Sequence, residues 1–155
     1  MQLENVDANL RSHVFEFFYW FSRFEFALKE RRFLKSKAIG ARAEPDWTDF
    51  IKKFESQYEL SQDGSSLIAQ NPKCQIVGQH ELEFVPVTYK DQPSELRQVV
   101  TLLKTVRNNL FHGGKHGDDG WDDPERIMAL LGLSIRVLHE LADLADFGAD
   151  YTRYY

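Results

Sequence analysis

Apolar residues recur every three or four positions along the first part of the chain, and this spacing constrains the fold more than any other feature. The positions are Leu10, Val14, Phe17, Phe18, Phe21, Phe24 and Leu28. They predict an amphipathic helix from about Asn9 to Leu34. More aromatic residues extend the apolar surface to a second side: Phe15, Tyr19, Trp20 and Phe26. Such a helix packs against more than one neighbour, either inside one core or also at an interface between chains.

Three further helices are predicted from apolar spacing and from residues that favour helix ends. They span about 44–60, 94–112 and 123–148. Ser94 is a suitable N-cap for the third helix, and Pro124 fits the first position of the fourth. The fold class predicted is all-α, an up-and-down bundle of four to five helices in a single domain over 1–155.

The segment at about 61–93 interrupts the helical pattern. Glycine and proline divide it, and residues 73–90 have the composition of strands. We expect a long irregular excursion there, with room for a short hairpin. The C-terminal residues DYTRYY are expected to fray.

A single cysteine and the lack of a long apolar run indicate the cellular compartment in which the protein is expected. Cys74 has no second cysteine for an intrachain disulfide, which fits a reducing cytoplasm. The opening residues are polar where a signal peptide would be apolar, and charged residues interrupt the most apolar run. We therefore expect a soluble, cytoplasmic protein with no membrane partner.

Positive charge is concentrated in a few segments of an acidic chain. The formal net charge of −5 argues against a wholesale nucleic-acid-binding surface. Residues 29–42 nevertheless carry six basic residues against one acid. This segment either offers a polyanion a local positive surface or forms an ordinary solvated face.

The third predicted helix ends in a polar set that helix-end rules explain only in part. Arg107, Asn108 and His112 occupy its last turn and a half, and Gly113 and Gly114 then stop the helix. Asn108 and His112 are four residues apart, so their side chains project to nearly the same side. The long arginine side chain can curl toward the same groove.

Arginine and histidine together suit the cleavage of a phosphodiester. A guanidinium stays charged and matches phosphate oxygens in a bidentate way, while an imidazole moves protons near neutral pH. RNA supplies its own nucleophile, the 2′-hydroxyl, so metal-free cleavage needs a base, an acid and a cation. One chain offers one histidine in this motif, and a two-fold dimer would supply two. The site is therefore expected to form between two protomers.

Plainer interpretations stay open at this point. A histidine in the last turn of a helix interacts favourably with the helix dipole, and an exposed arginine beside asparagines is common. A metal site could use His112, His116, Asp118 and Asp119, although no zinc spacing is matched and the two glycines spoil the helical geometry. The sequence contains no P-loop, zincin or nucleophile-elbow motif.

The segment RNNLFH, residues 107–112, resembles the R-x4-6-H motif of the HEPN superfamily, including the polar residue that ribonuclease members usually carry after the arginine. The first predicted helix, with YWFSRFEFALKE at 19–30, is similar in composition to the opening helix of small bacterial HEPN proteins. The resemblance covers the general layout, and its specific part is this short motif. It implies a helical bundle of HEPN type that forms a homodimer.

The resemblance also implies an activity, that of a metal-independent endoribonuclease without a cofactor. Arg107 would bind and stabilise the scissile phosphate, His112 would act as acid or base, and Asn108 would orient the phosphate or the histidine. On the first helix, Arg23 or Glu25 could support these residues if that helix flanks the cleft. Beyond the motif, Lys104, Asn109, Lys115 and His116 are weaker candidates for substrate contacts, and an ordinary solvated position stays the alternative for each.

Members of this superfamily differ in function, and the differences define the alternatives. Many are toxins of toxin–antitoxin or phage-defence systems, often encoded beside a nucleotidyltransferase antitoxin. RNA is thus the expected substrate, and a cognate antitoxin of that or another type is a candidate partner. Some toxins carry a tyrosine two residues after the histidine as a target of nucleotide modification, where this chain has Gly114. Other members bind nucleotides or act as non-catalytic dimerisation and interaction modules, which is the alternative function.

Overall fold

A computed structural model describes residues 7–112 and 124–152, which form six helices and one two-stranded sheet. In chain order the elements are α1 (Ala8–Glu30), α2 (Trp47–Phe54), α3 (Gln62–Gln70), β1 (Cys74–Val77), β2 (Leu82–Val85), α4 (Glu95–His112), α5 (Pro124–Leu144) and α6 (Gly148–Thr152). The fold is thus mostly helical, as predicted, with a small sheet added. No helix within these two ranges is long and apolar enough to cross a membrane.

Helix α1 is the long helix that the aromatic spacing predicts, but it ends at Glu30 rather than Leu34. The carboxylate of Asp7 caps its first turn and accepts a hydrogen bond from the backbone nitrogen of Leu10 at 2.7 Å. At the other end, Arg32 adopts a φ of 65°, in the left-handed region. That conformation cannot continue a right-handed helix, so the chain turns away there.

The core is centred on α1 and is rich in aromatic rings. Helix α1 packs along α5 and against α6. The buried ring of Phe24 stacks on Trp47 with a centroid distance of 5.0 Å and meets the edge of Phe50 at 5.4 Å. Phe147, which follows α5, contacts the same ring at 5.4 Å. Aromatic contacts therefore join α1, α2 and the C-terminal part of the chain around one core.

Helices α4 and α5 begin where the predicted capping residues place them, whereas α2 is shorter than the predicted 44–60 and spans Trp47–Phe54. Asp46 accepts hydrogen bonds from two backbone nitrogens of α2, at 2.9 and 3.1 Å, and the helix ends at Phe54. The hydroxyl of Ser94 accepts a hydrogen bond from the backbone nitrogen of Arg97 at 3.3 Å, as expected of the α4 cap. Helix α5 begins at Pro124, the predicted first position.

The prediction of an irregular excursion at 61–93 is wrong in its first part, because α3 lies there. Ser61 caps this helix, and Asn71 ends it in the left-handed conformation with a φ of 41°. These end signals are present in the sequence. Between them only Gly64 and Leu67 are buried in nine residues, so the apolar stripe that predicts a helix is missing.

The second part of the same segment contains the predicted hairpin. Strands β1 and β2 are antiparallel, with Cys74 opposite Val85 and Val77 opposite Leu82. Strand β1 also contacts α4. The hairpin therefore lies beside the helix that carries the arginine motif.

The expected fraying of the C-terminal tail is wrong for residues up to Thr152, because α6 is docked on α1. The ring of Tyr151 is buried, and Arg23 of α1 donates hydrogen bonds to the backbone carbonyl oxygens of Asp150 and Tyr151, the latter at 3.0 Å. A guanidinium at the carbonyl end of a helix satisfies acceptors that the helix itself leaves unpaired. With α3 and α6, the described chain has more helices than the predicted four to five.

Candidate active site

Arg107 lies in the last two turns of α4, between a buried face and solvent. Its neighbour Val106 is fully buried, whereas Asn108 on the other side is exposed. The Nη1 of Arg107 donates a hydrogen bond to the Oδ1 of Asn108 at 3.0 Å. The two side chains that the motif predicts to act together are thus in direct contact.

Two aromatic rings also contact the guanidinium of Arg107. Its central carbon lies 5.0 Å from the ring centroid of Phe111 in the same helix and 5.9 Å from that of Phe21 in α1. A cation over an aromatic face is attracted by the electron density of the ring. The rings and Asn108 therefore restrict the positions that the guanidinium can take, while its half-buried side chain still reaches solvent.

A groove opens between α1 and the end of α4, and Arg107 lies on its wall. It has a volume of about 350 Å³ and is lined by Phe15, Phe18, Tyr19, Phe21, Ser22, Glu25, Arg107 and Phe111; we call it the aromatic groove. Phe15 is 73% exposed and Phe111 56% exposed. The rings of Phe18 and Phe111 are 4.1 Å apart, so they join the two helices at this point. The groove therefore leaves aromatic surface of both helices in contact with solvent.

The two candidate supporting residues of α1 have different surroundings. Glu25 lines the aromatic groove with Arg107, and its Oε1 accepts a hydrogen bond from the indole nitrogen of Trp47 at 3.1 Å. This contact holds the carboxylate at the far side of the groove. Arg23 instead binds the end of α6, so the structure does not bring it to the motif.

Asn109 is buried, unlike the exposed Asn108 before it. Its side chain is only 7% exposed, and its Nδ2 donates a hydrogen bond to the backbone carbonyl oxygen of Lys73 at 2.7 Å. Lys73 immediately precedes β1, so this contact ties α4 to the hairpin. Lys104 is exposed on α4, about one turn before Arg107.

Several predicted site residues, or their side chains, lie outside the part of the chain that the structure describes. His112 is the last residue of α4, but its side chain is not among the described groups. Lys115 and His116, and the carboxylates of the metal alternative at Asp118 and Asp119, fall in the undescribed range 113–123. Within 7–112 and 124–152, no cluster of three or more histidine, cysteine or carboxylate side chains could hold a metal ion.

A second cleft adjoins the motif, and sequence reasoning missed it. It has a volume of about 420 Å³ and is lined by Cys74, Gln75, Thr105, Asn108 and Asn109; we call it the amide cleft. Two of its lining residues come from β1 and three from α4. No local sequence pattern predicts the amide cleft, because its shape depends on how the hairpin packs against α4.

The basic segment at 29–42 is partly neutralised by ion pairs. Three of its basic side chains are paired: Arg31 with Asp150 at 2.7 Å, Lys35 with Glu44 at 2.9 Å, and Lys37 with Asp49 at 3.7 Å. The hydrogen bond with Glu44 raises the pKa of Lys35 above its ordinary value, and the same bond lowers the pKa of the Glu44 carboxyl. These exposed pairs add little stability, but they weaken the positive field expected of the segment.

Fold and site together define a mostly helical protein with an arginine–asparagine pair between an aromatic groove and an amide cleft. No protein-family profile, curated protein or solved structure matches the chain. Its function must therefore be argued from these residues.

Proposed function

We propose that the protein is a metal-independent endoribonuclease of HEPN type, with one active site formed by two protomers. The observation that carries the proposal is the position of Arg107. Its guanidinium is held by Asn108 at 3.0 Å and by two aromatic rings, on the wall of a groove open to solvent. A permanently charged, restrained guanidinium at an accessible surface is suited to bind a phosphate of RNA.

The proposed reaction is a transesterification in which RNA attacks itself. His112 of one protomer accepts the proton of the 2′-hydroxyl, and the 2′-oxygen forms a bond to phosphorus. The bond from phosphorus to the 5′-oxygen breaks, and the leaving oxygen takes a proton from His112 of the second protomer. Arg107 stabilises the charge that builds on the phosphate oxygens. The products are a 2′,3′-cyclic phosphate and a 5′-hydroxyl.

The dimer is proposed because one chain supplies too few groups for this reaction. A single motif contains one histidine, whereas the mechanism uses an acid and a base together. The exposed rings of Phe15 and Phe111 lie beside Arg107 on the aromatic groove. A two-fold contact through this surface would cover the rings and bring two copies of the motif to one cleft.

The biological setting proposed for this activity is that of a toxin in a toxin–antitoxin or phage-defence system. In that setting the activity would be restrained by a cognate antitoxin, of nucleotidyltransferase or another type. Support for this setting comes from the resemblance of the motif alone. Host toxicity that disappears with Arg107→Ala or His112→Ala would support it.

An RNA cleavage assay with variants of the motif tests the proposal. Arg107→Ala and His112→Ala are each expected to lower the cleavage rate on the order of 10²-fold or more. Arg107→Lys should lose most of the rate as well, because an ammonium cannot reproduce the bidentate fork. Matched controls are Arg97→Ala on the same helix and His80→Ala in the hairpin, both exposed positions that should retain full activity.

Three results would contradict the mechanism. They are unchanged cleavage by the motif variants, loss of cleavage on addition of EDTA, and products without a 2′,3′-cyclic phosphate. Circular dichroism of each variant separates loss of a reacting group from loss of fold.

A second candidate function is a non-catalytic interaction module, favoured by the exposed rings of the aromatic groove. It predicts tight association of two chains with no nuclease activity. A related candidate function is the binding of a nucleotide without cleavage of RNA. A thermal shift with ATP, measured beside the cleavage assay, separates it from the first function.

A further inference from the structure

The amide cleft lies directly beside the proposed phosphate site, because Asn108 belongs to both. Asn108 lines the cleft and also accepts the hydrogen bond of Arg107 at 3.0 Å. The volume of the cleft, about 420 Å³, falls within the range of roughly 300–1,000 Å³ of small-molecule sites. A ligand in the cleft could therefore touch the same asparagine that positions the arginine.

The hydrogen-bonding groups of the cleft include both donors and acceptors. Because the Oδ1 of Asn108 accepts from Arg107, its amide nitrogen is the donor that remains. The Nδ2 of Asn109 donates to a backbone carbonyl oxygen, which leaves its Oδ1 as an acceptor. Thr105 donates its hydroxyl proton to the carbonyl oxygen of Thr101 at 2.9 Å, so its oxygen also remains an acceptor. The side-chain amide of Gln75 offers both a donor nitrogen and an acceptor oxygen.

The chemistry of the lining favours an uncharged, polar ligand. None of the five lining residues that the structure describes is lysine, arginine, aspartate or glutamate, so this part of the lining offers no ion partner for a phosphate or an ammonium group. An apolar ligand would cover the amides and leave them without partners, which costs free energy. The edge of a nucleobase carries neighbouring donors and acceptors, and amide side chains pair with such edges.

We propose that the amide cleft binds one nucleobase of the RNA whose phosphate Arg107 holds. The inference rests on the proposed RNA-binding role of Arg107 and deepens it, because it adds base recognition to phosphate binding. Phosphate contacts position a nucleic acid, whereas contacts to base edges carry its sequence information. The cleft would thus determine which base lies next to the cleaved bond.

Titration of the purified protein with the four 5′-ribonucleoside monophosphates by calorimetry tests this inference. One of the four is expected to bind about tenfold more tightly than the others. Gln75→Ala should remove that preference, and Thr105→Val, which keeps the shape of the side chain, should reduce it. Gln79→Ala is the matched control, since this exposed glutamine of the same hairpin is not among the lining residues. Arg107→Ala should weaken all four nucleotides to a similar degree.

The outcomes separate this inference from the proposed function. Equal affinity for all four nucleotides, no binding at millimolar concentration, or a preference that survives Gln75→Ala would overturn base recognition in the cleft. Base preference that Gln75→Ala removes, in a protein that does not cleave RNA, would support the cleft and contradict the ribonuclease. Cleavage without any base preference would support the ribonuclease and overturn the cleft.

Discussion

The side chain of Arg107 is restrained by its surroundings, which favours the role proposed for it. An arginine on an exposed helix normally samples many rotamers, and ordering it costs conformational entropy. Here the amide of Asn108 and the rings of Phe21 and Phe111 hold the guanidinium before any ligand arrives. Such preorganisation lowers the cost of binding a phosphate. The carboxylate of Glu25, which lines the same groove from α1, is held by the indole nitrogen of Trp47.

Tyr151 offers a residue-scale prediction about stability. Its ring is 3% exposed, and within the described ranges its hydroxyl has no hydrogen-bond partner. A buried hydroxyl without a partner costs free energy, so Tyr151→Phe should raise the free energy of unfolding by about 1 kcal/mol at pH 7. Urea unfolding measures this change. Tyr19→Phe, which alters an exposed ring, should have little effect.

The same substitution has a pH signature. Burial, and to a smaller extent the charge of Asp143, raises the pKa of Tyr151 far above its ordinary value. Above about pH 10 the unfolded chain loses this proton while the folded chain keeps it. The free energy of unfolding therefore falls as the pH rises beyond that point. In Tyr151→Phe, which has no proton to lose there, this part of the alkaline fall should be absent. An equal alkaline loss in parent and variant would contradict this account.

At the scale of elements, the contact between α4 and the hairpin depends on Asn109. Its amide nitrogen reaches the carbonyl oxygen of Lys73 at 2.7 Å from a buried position. Asn109→Ala should lower the free energy of unfolding by about 1–3 kcal/mol, because the carbonyl loses its donor and a space opens beside it. Asn108→Ala, one residue earlier and exposed, should change stability by less than about 0.5 kcal/mol.

Activity measurements on the same variant test the weaker role predicted for Asn109 in substrate binding. Because Asn109 also lines the amide cleft, the variant should have a raised KM for RNA at a temperature where it is fully folded. An unchanged KM under those conditions would show that Asn109 acts only through the hairpin. A stability equal to that of the parent would contradict the structural link.

Elements with strong periodic signals could be predicted from the sequence, and elements fixed by tertiary contacts could not. Helix α1 has apolar residues every three or four positions, and α4 and α5 have caps as well, so their positions follow from local rules. Helix α3 has caps but only two buried residues, and α6 is held by Arg23 from a distant part of the chain. Neither the packing of α3 nor the contact of α6 with Arg23 can be predicted from a short stretch of sequence.

The contacts of the candidate site also include some between sequence neighbours and others that depend on the tertiary fold. The contact of Arg107 with Asn108 joins neighbours in sequence, but the sequence predicts instead that Asn108 orients the phosphate or His112. The contact of Arg107 with Phe21 joins α4 to α1 and depends on the fold. The amide cleft needs Gln75 from a strand beside Asn109 from a helix, a pairing set by hairpin docking. The proposal of phosphate binding by Arg107 could thus be made from the sequence, whereas the proposal of base recognition required the structure.

At the scale of the whole molecule, two sides of α1 have different surroundings. The ring centroid of Trp20 lies 5.0 Å from that of Tyr151 and 4.7 Å from that of His139, so this side of α1 is packed within the chain. Phe15, on the aromatic groove, remains 73% exposed. The excess of aromatic residues on α1 thus has an internal explanation for one side, and for the other a second protomer is the proposed partner.

Phe15→Asp tests this assembly and its link to activity. A carboxylate in a dimer interface loses its water and has no partner, so the variant should be monomeric by light scattering, with unchanged helix content. If two protomers complete the site, RNA cleavage should fall at least about 10²-fold although Arg107 and His112 are intact. Ile39→Asp, at a fully exposed loop position, is the matched control and should remain dimeric and active. A monomeric Phe15→Asp protein that cleaves RNA like the parent would mean that one chain supplies both the acid and the base, since a shared site cannot survive separation of its halves.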